Sequence, residues 1–208
     1  MSAVAATEEA LRAARAWQPA LNCFVSLDED RALARAAHVD SSSAGGSTTL
    51  GGLPIAFKDV FVREGSRPRA GSAAPIDLGD ASAAVARSLH AAGTVDIGSL
   101  HLDELAYAAT GRSETLGDCR NPWDLRRASG GSSSGPAAAV AARIVPLAIG
   151  TDTGGSVRVP AAWCGVLGFK PTYSAIPMTG IDARRMAAGR RSVHDSVTVQ
   201  PPAAAARS

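Results

Sequence analysis

Apolar positions along this chain switch repeatedly between two spacings, and that alternation predicts the order of elements. Thr7 followed by Glu8 and Glu9 reads as a helix start, and Pro19 ends that helix soon after Trp17. Leu21–Leu27 reads as a short strand, after which Asp28 caps a second helix over DEDRALARAAH, with Leu33 and Ala37 four apart on one face. The apolar run Leu53–Phe57 predicts a strand that ends at Lys58. A helix over Asp80–Ala92 presents Val85 and Leu89 at i, i+4 and stops at Gly93, with a strand over Thr94–Ile97 directly behind it. Pro136 suits the first turn of a helix running to Arg143, and Val145–Ile149 is strand-like. A last helix over Ser156–Trp163, closed by Gly165, precedes a predicted strand over Val166–Phe169. Strands alternating with helices predict an α/β domain with a largely parallel sheet.

Two stretches break the pattern. Ser41–Thr49 is rich in Ser and Gly and reads as a surface loop. Beyond Ile181 the segment DARRMAAGRRSVHDSVTVQPPAAAARS has no Leu, Ile, Phe, Tyr or Trp. Such a segment buries too little apolar surface to offset its ordering entropy, so the folded part is expected at 1–181 and a disordered tail at 182–208.

Composition narrows the function classes. Hydrophobic residues make up 46% of the 208 positions and aromatics only 4%, so the core is built mainly from Ala, Val, Leu and Ile. The net charge of +2 comes from the tail, where five arginines face two aspartates; the body carries −1. A nucleic-acid binder concentrates basic charge on the folded face that docks, and no such face is encoded, so no direct nucleic-acid partner is expected. No apolar run approaches the ~18 residues of a membrane span. The N-terminus, with Glu8 and Glu9, is not a secretory signal. Cys23, Cys119 and Cys164 are odd in number and widely spaced, which fits neither a disulfide framework nor a zinc site and points to the reducing cytoplasm.

The densest chemical signal is Gly130–Arg158, where two small-residue turns each hold a serine. In the second, Gly154 and Gly155 let the backbone approach a ligand, and successive N–H groups there can converge on an anion. Ser156 follows directly and is placed to attack. A phosphate loop is disfavoured because no Gly-Lys-Ser/Thr follows. A Ser-His-Asp triad built on the Gly131–Gly135 elbow is disfavoured as well, since NPWDLRRAS before it does not read as a strand and the later His194 lies in the tail. His38, His90 and His101 have no recognisable base or metal spacing. Lysine remains as the base, and only Lys58 and Lys170 exist against nineteen arginines. A lysine set among apolar strand residues tends to lose its proton, because burial disfavours the ammonium. From spacing alone, Lys58 as base and a structural Lys58–Asp59 pair stand equal; Lys170, before Pro171, reads as structural. Asp152 and Arg158 flank the turn and are expected to pair.

Taken in order, GLPIAFKDV, AGS at Ala70–Ser72, RNPWD at Arg120–Asp124, GGSSSGPAAAV and TDTGGSVRVPAAWCGVLGFKPTY resemble the amidase signature enzymes, from Leu11 to Thr179. The resemblance implies a mixed, largely parallel sheet flanked by helices, of which this chain holds the N-terminal portion. It implies a Ser-cisSer-Lys triad with Lys58 as base, Ser132 as the bridging serine after a cis Gly131–Ser132 bond, and Ser156 as nucleophile. The implied reaction is hydrolysis of a small, non-peptide carboxylic amide through an acyl-enzyme. The backbone N–H groups of Thr153, Gly154, Gly155 and Ser156 hold the oxyanion, and neither metal nor organic cofactor is required. A homodimer is an expectation for the longer form. Two other readings accompany this one: the amidase component of an aminoacyl-tRNA amidotransferase, which needs a partner subunit, and a non-catalytic fragment. The sequence departs from the family pattern at Ser134, where a glycine is usual, and at Pro136, where a serine is usual. Past Gly180 the pattern decays into Arg/Ala-rich sequence, as a frameshift or truncation produces.

Overall fold

The computed structural model describes residues 1–42, 50–74, 76, 81–173, 175–177, 179–181 and 197–199. Helix α1, Ala3–Leu21, starts earlier than its sequence suggests because Ser2 Oγ accepts the Ala5 N–H, while Thr7 is buried inside the helix rather than capping it. Pro19 lies in the last turn without ending it; the chain leaves the helix at Asn22, left-handed, whose N–H returns to Gln18 O. Strand β1, Phe24–Leu27, and helix α2, Glu29–Ser42, follow. Then come β2, Pro54–Lys58, helix α3, Ala84–Ala91, and β3, Val95–Leu100. A short ribbon pairs β4, Arg120–Asn121, with β5, Asp124–Ala128. Helix α4, Ser134–Ala141, strand β6, Leu147–Thr151, and helix α5, Arg158–Cys164, complete the functional region.

The main sheet runs β1-β3-β2-β6-β7, with β7 at Val197–Val199. Its three central strands are parallel and its two outer pairings antiparallel. The α/β class with a largely parallel core is therefore observed. Part of the expected tail, Val197–Val199, is a strand against β6: Val-Thr-Val is β-branched throughout, and β6 offers it an open edge. The rest of 182–208, like most of the Ser/Gly loop after Ser42, lies outside the described residues.

Alternation along the central strands splits the core in two. Ala56 and Ala148 face one cluster with Leu11, Leu21, Ala36, Val140 and Ile144. Ile55, Phe57, Leu147 and Ile149 face the other, with Val60, Phe61, Val85 and Leu102. Strands buried on both faces read as continuous apolar runs, which is why β2 and β6 stand out in the sequence. Helix α4 is alanine-rich and buried from Ser134 to Val140, and its small side chains let it lie close against the sheet. The expected strand at Val166–Phe169 does not form. Val166 turns inward and donates its N–H to Ala161 O, while Leu167 and Phe169 are exposed.

Candidate active site

Parallel pairing brings the C-terminal ends of β2 and β6 side by side, with Ile55, Ala56 and Phe57 opposite Leu147, Ala148 and Ile149. Lys58 closes β2 on the same side as Ala56, the side α4 covers. The chain enters α4 through Gly130–Ser133, so Ser132 meets the lysine there. Lys58 Nζ lies 2.8 Å from Ser132 Oγ and 2.9 Å from Thr151 Oγ1, and Lys58 and Ser132 are both 0% exposed. The Gly131–Ser132 peptide bond is cis. Its neighbour Asp59 accepts the Arg69 N–H at 3.0 Å.

Ser133 ties the two serine turns together. Its N–H donates to Ser156 O at 2.9 Å, and its hydroxyl exchanges hydrogen bonds with the backbone of Thr151. The centre of the Gly131–Gly135 elbow is thus a buried strut between the two turns. The strand preceding it, β5, exists after all, but in a surface ribbon away from the main sheet. Ribbon and site are connected: Asn121 Nδ2 donates to Trp163 O and Trp123 Nε1 to Cys164 O, fixing the far end of α5.

Ser156 is half-buried, and the turn that presents it is organised by Asp152. This buried carboxylate accepts the N–H groups of Gly155 (2.8 Å), Val157 and Arg158 (both 3.2 Å), and pairs bidentately with the Arg158 guanidinium at 2.9 Å. Burial alone raises the Asp152 carboxyl, but the bonds from Arg158, Gly155 and Val157 outweigh it and hold the group below its ordinary value. The expected ion pair is present. The Gly155 N–H, one of the four groups expected to hold an oxyanion, donates to Asp152. Gly154 is the open point of the turn, since a Cβ built there meets no atom within 4 Å.

His101 is a satisfied core residue. Its Nε2 donates to Gly117 O at 2.9 Å, which leaves Nδ1 to accept from Ser134 Oγ at 2.8 Å. Burial keeps its pKa below the ordinary histidine value. The serine at position 134 is therefore used, as the hydroxyl that meets the remaining ring nitrogen of a tautomer fixed by Gly117 O. His194 lies outside the described residues. Among the described residues no group of three or more His, Cys, Asp or Glu is placed to hold a metal, and no helix is long and apolar enough to cross a membrane. Sequence reasoning does not single out Thr151. Its one signal is its position at the end of an apolar strand, where Lys58 also stands in β2.

A parallel-centred α/β sheet thus sets a buried lysine at a strand end against a buried serine in the turn before α4, beside a glycine turn holding a further serine. The family model for Amidase matches residues 5–200, and the chain belongs to that family. The glutamyl-tRNA(Gln) amidotransferase A-subunit of Bordetella avium is 48% identical over 185 residues, covering 88% of this chain and 36% of its own length. The protein of the same name from Symbiobacterium thermophilum is 44% identical over 192 residues, with 88% and 38% covered. Among solved structures, an amidase superposes with a TM-score of 0.87 at 35% identity, covering 98% of this chain and 46% of its own. The native peptide amidase of Stenotrophomonas maltophilia gives 0.81 at 34%, with 87% and 39% covered. The chain thus spans a little over a third of the curated relatives it matches.

Proposed function

We propose that this chain carries the nucleophile and proton-transfer apparatus of a carboxylic-amide hydrolase working through Lys58, Ser132 and Ser156. The observation that carries the reading is the 2.8 Å approach of the buried Lys58 Nζ to the buried Ser132 Oγ, one hydrogen-bonded strut from the half-buried Ser156. Burial disfavours the ammonium and favours the neutral amine. That amine donates to Thr151 Oγ1 and accepts the Ser132 proton; Ser132 takes the proton of Ser156 as Ser156 Oγ bonds to the amide carbon. The oxyanion so formed accepts N–H groups from Thr153, Gly154 and Ser156. One donor of this kind typically contributes about 3–4 kcal/mol to the barrier reduction. The proton then returns through Ser132 to the leaving nitrogen, the C–N bond breaks, and water releases the acid from Ser156 by the reverse relay.

Incubation with a small alkyl fluorophosphonate tests the assignment. Mass spectrometry is expected to find the adduct on Ser156, with labelling lost in Ser156→Ala and reduced by about 100-fold or more in Lys58→Arg, because guanidinium does not act as a base. Unchanged labelling in Ser156→Ala, or near-normal rates in Lys58→Arg, contradicts the scheme. The 48% identity to a glutamyl-tRNA(Gln) amidotransferase component favours a second reading, in which this apparatus serves a larger complex. Co-purification with other amidotransferase subunits, with ammonia release raised by their presence, distinguishes it from a free-standing hydrolase.

A further inference from the structure

Asp103, two residues past His101, is a carboxylate with no part in the scheme above, yet it is almost completely buried (1% exposed) against the turn that carries Ser132. Its backbone N–H donates to Ser132 O at 3.3 Å. Its carboxylate accepts the Thr110 N–H at 2.8 Å through one oxygen and the Thr110 hydroxyl at 3.3 Å through the other. The same carboxylate abuts the residue before Ser132: a Cβ built on Gly131 would stand 2.3 Å from Asp103 Oδ2 and 3.0 Å from Gly111 N. Gly111 is equally confined, since its Cβ would stand 2.9 Å from Gly130 O and from Ser129 Oγ. The Gly130–Gly131 backbone is therefore pressed between Asp103 and the Thr110–Gly111 segment, and the Asp103 carboxylate ties those two walls together.

We propose that Asp103 is a positioning residue for Ser132, acting through Thr110 and Gly131 to hold the bridging hydroxyl within reach of Lys58. The inference rests on the proposed relay for its kinetic consequence, but not for its geometric one. Side-chain placement within about 0.5 Å is what such constellations require, and a displacement near 1 Å costs on the order of 100-fold in rate. Asparagine at 103 keeps the volume and one acceptor oxygen for the Thr110 N–H, but it gives up the charge and has to donate to the Thr110 hydroxyl instead of accepting from it, so the clamp is weakened.

The test compares wild type with Asp103→Asn, Thr110→Val and Thr110→Ser, using the fluorophosphonate rate at Ser156 resolved into KI and kinact. Expected are a kinact lowered by about 10- to 100-fold in Asp103→Asn with KI unchanged, a smaller loss in Thr110→Val, and recovery in Thr110→Ser, which restores the hydroxyl. A purely structural role predicts no such split and no serine rescue. Hydrogen exchange of the 129–134 segment and a crystal structure of Asp103→Asn are recorded on the same proteins. Faster exchange there, with Ser132 Oγ withdrawn from Lys58 Nζ, supports the proposal even if wild type is never labelled, an outcome that rejects the relay alone. Unchanged exchange and an intact Lys58–Ser132 contact in Asp103→Asn overturn it, as does an undiminished kinact.

Discussion

Replacing Asp152 by asparagine tests how the Ser156 turn is held. The carboxylate receives at least five hydrogen bonds, among them those from the backbone N–H groups of Gly155, Val157 and Arg158. Asparagine has one oxygen to offer, and its NH2 opposes whichever donors faced the other oxygen. Placed to keep Gly155, it leaves the buried Val157 N–H without its acceptor, at a cost of about 1–3 kcal/mol, and weakens the bond it keeps by removing the charge. Arg158 is half-exposed, so the lost ion pair adds at most about 1 kcal/mol. With the weakened bond included the sum is about 2–4 kcal/mol, or a fall in Tm of roughly 4–16 °C for a chain of this size. Urea unfolding at pH 7 measures it. The pH dependence has a definite sign: a carboxyl held below its ordinary value contributes stability above about pH 4, and that contribution is lost as pH falls through the folded value. The gap between wild type and Asp152→Asn is therefore expected to narrow in acid. A variant within about 1 kcal/mol of wild type at pH 7, or a gap constant from pH 7 to about pH 3, refutes the account.

Other consequences can be checked on the same preparations. His101 is kept neutral by burial, so the unfolded chain binds more protons as pH drops below about 6.5; stability is full well above that value and declines as pH falls through it toward the lower value of the folded imidazole. His101→Gln is expected to flatten that decline, leaving the share due to His90, which burial also lowers; an unchanged slope contradicts it. The thiols of Cys119 and Cys164, both pushed up to about 12 chiefly by burial, are expected to ignore a disulfide reagent at pH 8 until urea unfolds the protein. Rapid titration of all three cysteines in the native state would refute their placement. Gly150→Ala sets a Cβ 2.6 Å from Ser133 Oγ, the strut between the serine turns, and is expected to slow Ser156 labelling at least tenfold (about 1.4 kcal/mol) while the fold persists; normal labelling would show that the strut is dispensable.

Much of this site is legible because glycine turns and apolar strands leave local marks. Lys58 and Ser156 each follow a feature readable within a few residues, and the family motifs add Ser132. What the sequence conceals is partnership at a distance: Thr151 meets Lys58 across 93 positions, and Asp103 sits in LDELAY, which reads as an ordinary polar turn. Misread elements have local causes. Thr7-Glu8-Glu9 has the composition of a helix cap, but Ser2 caps first. Val166–Phe169 is apolar enough for a strand, yet only Val166 packs inward. The Gly155 N–H looks equivalent to its neighbours because nothing in D-T-G-G-S reveals that the aspartate folds back to engage it.

The place of β2 in the middle of its sheet has a kinetic meaning. A strand paired on both sides and covered on both faces opens only when the domain itself opens, whereas a turn at the surface opens with less free energy. Lys58 stands at the end of that innermost strand, while Thr153 and Gly154 are exposed beside the half-buried Ser156. The two halves of the site therefore belong to different tiers of local unfolding. Mild denaturant is expected to release the Ser156 turn while the amine stays caged, so that labelling of Ser156 fades well before the backbone amides of Ile55–Phe57 begin to exchange.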